Sequence, residues 1–130
     1  MERFSVQTAR RDQMVDITDG VAQAVAALGV QSGGVLVHVP HTTAAVTVNE
    51  GYDPDVAADV LAHLAELVPR SRAFAHAEGN SDSHIKAILV GCTHPIVVQD
   101  GAPALGRWQR IFLCEFDGPR TRQVWVSVLG

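Results

Sequence analysis

Apolar and polar residues alternate over Arg3-Phe-Ser-Val-Gln-Thr-Ala9, the period-two pattern of a half-buried strand, and residues 13–17 continue it after a turn. The period then lengthens. Val21, Ala24, Val25 and Leu28 fall on one face of a helix that Thr18 or Asp19 can cap and Gly29 can stop. Gly33-Gly34 reads as a turn into Val35-Leu-Val-His-Val39, and Ala44-Ala-Val-Thr-Val-Asn49 reads as an adjacent strand, with Pro40, His41 and Thr42 at the junction. Asp53-Pro54 opens a second helix: an Asp that caps, a Pro at the first helical position, and Asp55 favourable to the dipole. Val56, Val60, Leu61, Leu64 and Leu67 repeat at helical spacing until Val68-Pro69 ends the pattern.

Periodicity disappears over residues 70–83, which reads as the one long loop. Residues 83–90 fit either a short helix or a strand. Beyond them, 96–98, 107–115 and 122–128 carry strand patterns separated by turns at Gly101-Ala-Pro103 and Asp117-Gly-Pro119. The order of elements predicts one α+β domain over residues 1–130, with helices packed on one face of a largely antiparallel or mixed sheet.

Composition narrows the function classes. A chain of 130 residues, 47% hydrophobic, suits one globular domain. No apolar run approaches the roughly 20 residues of a membrane span, and Met1-Glu-Arg-Phe-Ser-Val6 lacks the apolar core of a secretion signal. The expectation is a soluble, cytoplasmic protein with no membrane partner. Net charge is −4 and Lys86 is the only lysine, which argues against nucleic acid as a partner. Arg107, Arg110, Arg120 and Arg122 could instead form a small anion-binding corner. Cys92 and Cys114 lie in apolar segments without a CxxC spacing, so both read as buried, reduced thiols.

Six histidines carry the chemical signal. His38 and His63 fall within a strand and a helix and read as structural or surface residues, and His94 starts a strand. His41, His76 and His84 sit among small polar residues, with Asn80, Asp82 and Glu50 available beside them. Together they suggest a three-histidine site for a divalent metal. Zinc is the first choice, with an open fourth position to polarise an oxygen or activate water, and nickel or iron would also suit imidazole. The spacing matches no standard metal motif, and HExxH is absent. A metal-free alternative uses one histidine as general base, oriented by Glu50, Asp82 or Glu115. GxSxG, GxGxxG and the P-loop are all missing. Lys86, Arg120 and Arg122 are candidates for holding a phosphate.

Five ordered blocks carry a resemblance: His41-Thr-Thr-Ala-Ala-Val-Thr-Val-Asn-Glu-Gly-Tyr-Asp-Pro-Asp-Val56, His76-Ala-Glu-Gly-Asn80, Ser83-His-Ile-Lys-Ala87, Leu105-Gly-Arg-Trp-Gln109 and Glu115-Phe-Asp-Gly-Pro-Arg120. They resemble the YjbQ family, described as secondary thiamine-phosphate synthase enzymes. The chain departs from that pattern at Arg107, where the family usually has Thr, and at Thr43, where many members have Ser.

The resemblance implies a small α+β fold, a homotrimer, and a metal near subunit junctions held by His41, His76 and His84. It further implies catalytic roles for Glu50, Lys86, Glu115 and Arg120, with Asn80, Asp82, Lys86 and Arg120 binding substrate. The implied reaction joins hydroxymethylpyrimidine diphosphate to thiazole phosphate and releases pyrophosphate. Magnesium would suit diphosphate chemistry, although it prefers oxygen ligands. Three imidazoles keep two alternatives in view: a zinc-type hydrolase or lyase acting on a small phosphorylated or carboxylated substrate, and a metal-binding or small-ligand-binding trimer without turnover.

Overall fold

A computed structural model describes residues 1–70 and 73–130. In chain order its elements are β1 (Glu2–Gln7), β2 (Gln13–Asp16), α1 (Thr18–Leu28), β3 (Ser32–His38), β4 (Ala44–Glu50), α2 (Pro54–Leu67), α3 (Ser81–Val90), β5 (Thr93–Gln99), β6 (Ala102–Pro103), β7 (Gln109–Glu115) and β8 (Thr121–Val128). The α+β class holds. The strands form two sheets rather than one, ordered β1-β8-β3-β5-β6 and β2-β7-β4, and every pairing among the described residues is antiparallel.

Alternation decides which residues fill the space between the sheets. Val35, Val37, Ile96, Val98, Val124 and Val126 of the larger sheet meet Val46, Ile111 and Leu113 of the smaller one, and Val21, Ala24 and Val25 of α1 complete the core. Burying each such side chain contributes about 1.5–3 kcal/mol. Residues 13–17 do not continue β1 in its own sheet: β2 crosses to pair with β7. Gly33 and Gly34, expected as a turn, lie within β3 opposite Val98 and Val97.

The helices also divide between faces. α1 joins the inner core, whereas α2 and α3 cover the outer face of the smaller sheet through Leu61, Leu64, Ala87 and Val90 against Ala45, Phe112, Cys114 and Phe116. At the start of α1, apolar Ile17 occupies the cap position; the Asp16 carboxylate accepts from the Thr18 amide at 3.0 Å, and the Thr18 hydroxyl accepts from the Ile111 amide at 2.8 Å instead of capping. Gly29 ends the helix in the left-handed conformation at φ 71°. α2 begins as its sequence predicts, with the Asp53 carboxylate accepting from the Asp55 amide at 3.0 Å and Pro54 in first place.

α3 takes over the end of the expected loop, starting at Ser81. Its inward face is polar, carrying Asp82, Ser83 and Lys86 together with Ala87, while Ile88 and Leu89 point outward. This inversion explains why residues 83–90 suit helix and strand equally: the burial pattern does not follow the apolar pattern. The inverted helix also carries His84 to the corner where β3 passes into β4.

Candidate functional site

The floor of this corner is a buried polar network. Strand alternation points Arg122 of β8 inward, where its guanidinium binds both oxygens of Glu115 at the end of β7 and the hydroxyl and carbonyl of Thr43. Glu115 also accepts from the Thr8 hydroxyl at 2.8 Å and the Asp117 amide at 3.1 Å. Both charged side chains are almost wholly removed from solvent. Such burial is tolerated only because each charge is paired and its remaining sites are bonded. Gly118 allows the fold over this network, since a Cβ there would lie 2.4 Å from the Arg10 carbonyl and 2.8 Å from Glu115 Cγ.

A second ionic cluster secures α3. Asp82 receives Arg11 on both oxygens at 3.0 and 3.1 Å, and Lys86 on the same helix reaches Asp82 at 3.4 Å and Asp12 at 3.2 Å. Burial alone would raise the Asp82 pKa, but the Arg11 hydrogen bond and the charges of Arg11 and Lys86 outweigh it and hold the carboxyl below its ordinary value. The Ser83 hydroxyl donates to the Phe116 carbonyl, fastening the helix to the floor.

Above the floor, His41, Thr42, His84, Ala87, Ile88, Gly91 and Cys92 line a cavity of about 360 Å³. His84 also lines a neighbouring depression with Phe74, Ala75, His76, Ser81 and Ile85, so its ring stands between the two. The His76 and His84 rings meet edge to face, with centroids 5.5 Å apart. His41 is held differently. Its Nε2 accepts from the backbone amide of Gln123 at 2.9 Å. Burial first, then the charge of Arg122, pushes its pKa below the ordinary imidazole value against an opposing pull from Glu115, with Arg120 adding the least. At the exposed edge, Arg120 binds Asp117 through its side chain at 3.1 Å and its carbonyl at 2.9 Å. The Asn80 amide donates to the same carboxylate at 2.9 Å. The side-chain oxygen of Asn80 is buried and makes no hydrogen bond among the described residues, which leaves an acceptor at the start of α3.

The structure therefore gathers only part of the predicted set. His41 and His84 line the cavity and His76 the depression beside it, while Asn80 and Arg120, joined through Asp117, belong to the surrounding rim and line neither. Lys86, Asp82 and Glu115 lie beneath it, buried and internally paired, so they position the rim instead of meeting a substrate. Glu50 belongs elsewhere. It ends β4 about 20 Å from the strand's start, in a separate cavity with Arg10, Asp53 and Pro54, and accepts from the Tyr52 amide at 2.8 Å. The four arginines do not converge: Arg107 lies over Trp108, Arg110 pairs with Asp16, and Arg122 is buried.

Within the single chain His41, His76 and His84 do not close on one point. Among the described residues no group of three or more His, Cys, Asp or Glu side chains stands close enough to hold a metal ion. His76 and His84 are the pair that could share one. His41 cannot join them while it accepts from Gln123, because a neutral ring that accepts at Nε2 has its proton on Nδ1 and no lone pair left there.

Sequence reasoning missed Cys92. Far from being buried, it is exposed at the cavity between α3 and β5, and its place just after Gly91, the residue ending α3, was the available signal. Cys114 does lie in the interior, where burial pushes its thiol up to about 12. His38 and His94 serve local contacts, to the Thr93 hydroxyl and the Pro95 carbonyl, each at 2.7 Å.

Two antiparallel sheets, an inverted helix and a histidine-rimmed pocket over a buried Glu–Arg pair define a small α+β domain of one recognisable class. A model of the YjbQ-like UPF0047 proteins matches residues 2–130, and the chain belongs to this family. It is 45% identical to UPF0047 protein MJ1081 of Methanocaldococcus jannaschii over 98% of this chain and 93% of that protein. It is 40% identical to UPF0047 protein YugU of Bacillus subtilis over 100% and 99% of the two. Among solved structures, a YjbQ/UPF0047-family protein of Clostridium acetobutylicum superimposes with a TM-score of 0.96 at 44% identity, covering 99% of this chain and 100% of that one. A Thermus thermophilus protein gives 0.92 at 46% identity, with coverage of 99% and 100%.

Proposed function

We propose that the chain is an enzyme acting on a small phosphorylated substrate in the cavity between the β3–β4 junction and α3. Its reaction is the one the family resemblance implies: union of hydroxymethylpyrimidine diphosphate with thiazole phosphate and release of pyrophosphate. One observation carries the reading. His41 and His84, brought from separate elements, line a single cavity.

Negative charge accumulates on the diphosphate oxygens as such a leaving group departs. Donors already fixed in place, rather than ones that must be ordered first, stabilise that charge best. Arg120 is held by Asp117, which Asn80 also binds, and the Glu115–Arg122 pair supports the chain beneath. His84 supplies an imidazole from a helix anchored by Arg11, Asp82 and Lys86. The relatives' names assign no reaction, so this reading depends on the site. Incubating the protein with the two thiamine precursors and measuring product against a His84→Ala control tests it, and equal yields from both would discard it.

Self-association as a homotrimer has its own support. Ile88 and its chain neighbour Leu89 on α3 are 80% and 61% exposed. Adjacent large apolar side chains left in water favour a protein partner. Sedimentation of the wild type against Ile88→Glu measures it, with a fall in mass expected for the variant.

A further inference from the structure

Of the two nitrogens of the His41 ring, the backbone has already assigned one. The Gln123 amide lies 2.9 Å from Nε2, and a peptide N–H can only donate, so Nε2 is the unprotonated nitrogen and the ring's single proton rests on Nδ1. The assignment follows from the chemistry of the partner, not from a choice of hydrogen positions on the imidazole. His41 lines the cavity beside Thr42 and His84, and its Nδ1 makes no hydrogen bond among the described residues and is not sealed from solvent, so the one polar group left to the ring is an N–H donor.

Its surroundings hold the ring in that state. Burial disfavours the imidazolium most, Arg122 adds to it, and Glu115 opposes both more strongly than Arg120 assists them. A proton added at Nε2 would set two donors against each other at Gln123, beside two guanidinium groups.

We propose that His41 is a fixed neutral donor whose Nδ1–H binds a phosphate-type oxygen of the cavity's occupant, with the Gln123 main chain as the positioning group that sets the tautomer. The proposal rests on the reading of this cavity as a site for a phosphorylated substrate. It divides the labour of the rim. Arg120 supplies charge, His41 supplies direction, and a general acid or base role is left to His84. It also removes His41 from any metal ligand set, in contrast to the family-derived expectation. A neutral imidazole suits the task because it donates without adding a mobile proton that the departing group could take.

Long-range proton–nitrogen correlation of the imidazoles in the isotope-labelled full chain, titrated with inorganic pyrophosphate, tests this directly. The expected result is an Nδ1–H tautomer for His41 at neutral pH and a displacement of that nitrogen's resonance on binding. His41→Ala should weaken pyrophosphate binding about tenfold or more, as loss of a hydrogen bond to a charged group does. His41→Asn places an amide nitrogen where Nδ1 stood and should retain most of the affinity. An Nε2–H tautomer, an imidazolium at neutral pH, or undiminished binding by His41→Ala would overturn the proposal while leaving the phosphate-site reading intact. Failure of the wild type to bind pyrophosphate would overturn that reading, and with it the ligand class named here.

Discussion

The floor and the rim of the histidine corner use the same residue types to opposite ends. On the floor, Arg122 and Glu115 are buried and mutually paired, Glu115 accepting also from Thr8 and Asp117 and Arg122 donating also to Thr43. On the rim, Arg120 is half exposed with one carboxylate partner, and His84 faces a cavity. The two arginines are separated by one residue in sequence. A strand turns successive side chains to opposite faces, and Arg120 lies just before β8, where alternation no longer directs it inward. Charge type therefore says little about role in this corner; access decides it. A buried, mutually paired ion pair can orient its neighbours, while a charge that keeps part of its solvation can meet a ligand.

The sharpest way to break this contrast is to remove one partner on the floor. Arg122→Ala leaves the Glu115 carboxylate buried and unpaired, and chemical denaturation should show a loss of about 3–5 kcal/mol. The matching rim change, Arg120→Ala, should cost under about 1 kcal/mol because its ion pair is solvated. If the two variants lost equal stability, the distinction would fail.

Gly118→Ala probes the floor from the chain itself. Its methyl group would meet the Arg10 carbonyl and Glu115 within ordinary contact distance, so thermal unfolding should report a loss of about 1–3 kcal/mol.

A pH titration of stability separates the ionic cluster under α3. Asp82 has a folded pKa below its ordinary 3.8, so the unfolded chain binds the proton first as the solution is acidified. Its contribution is complete above that value and disappears as pH falls through the lowered folded pKa. Asp82→Asn should be less stable at neutral pH and show a shallower decline across that acid window, read from denaturation midpoints. An unchanged slope would mean that the pair with Arg11 and Lys86 does not hold the helix.

The smallest stability change is expected at the rim. His84→Ala should shift the denaturation midpoint by no more than about 0.5 kcal/mol, as for a surface position. The same variant should lose most product formation from the thiamine precursors. A large loss of stability with normal turnover would reverse the assignment of rim and floor.

Local rules made several elements readable in advance. Asp53-Pro54 starts α2 and Gly29 ends α1 because capping and left-handed backbone preferences operate within a few residues. The strand at residues 3–9 and those across 35–39, 44–49 and 122–128 followed from alternation, with only their ends displaced. α3 resisted the same approach because its buried face is polar: Asp82, Ser83 and Lys86 are accommodated by Arg11, Asp12 and Phe116, partners far away in the chain. Glu50 lies apart from the other predicted residues for a related reason. It shares a sequence block with His41, but an extended strand carries its two ends apart.

By itself, the sequence determined the α+β class, the family, and the existence and type of most elements. Each follows from local periodicity, capping or an ordered motif. Only the tertiary structure decided that the strands divide into two sheets, that Glu115, Asp82 and Lys86 lie beneath the pocket, and that Cys92 opens onto it. It also decided which nitrogen of His41 carries the proton. The physical reason is common to all four: pairing, burial and tautomer depend on partners many residues away, and no local pattern records them.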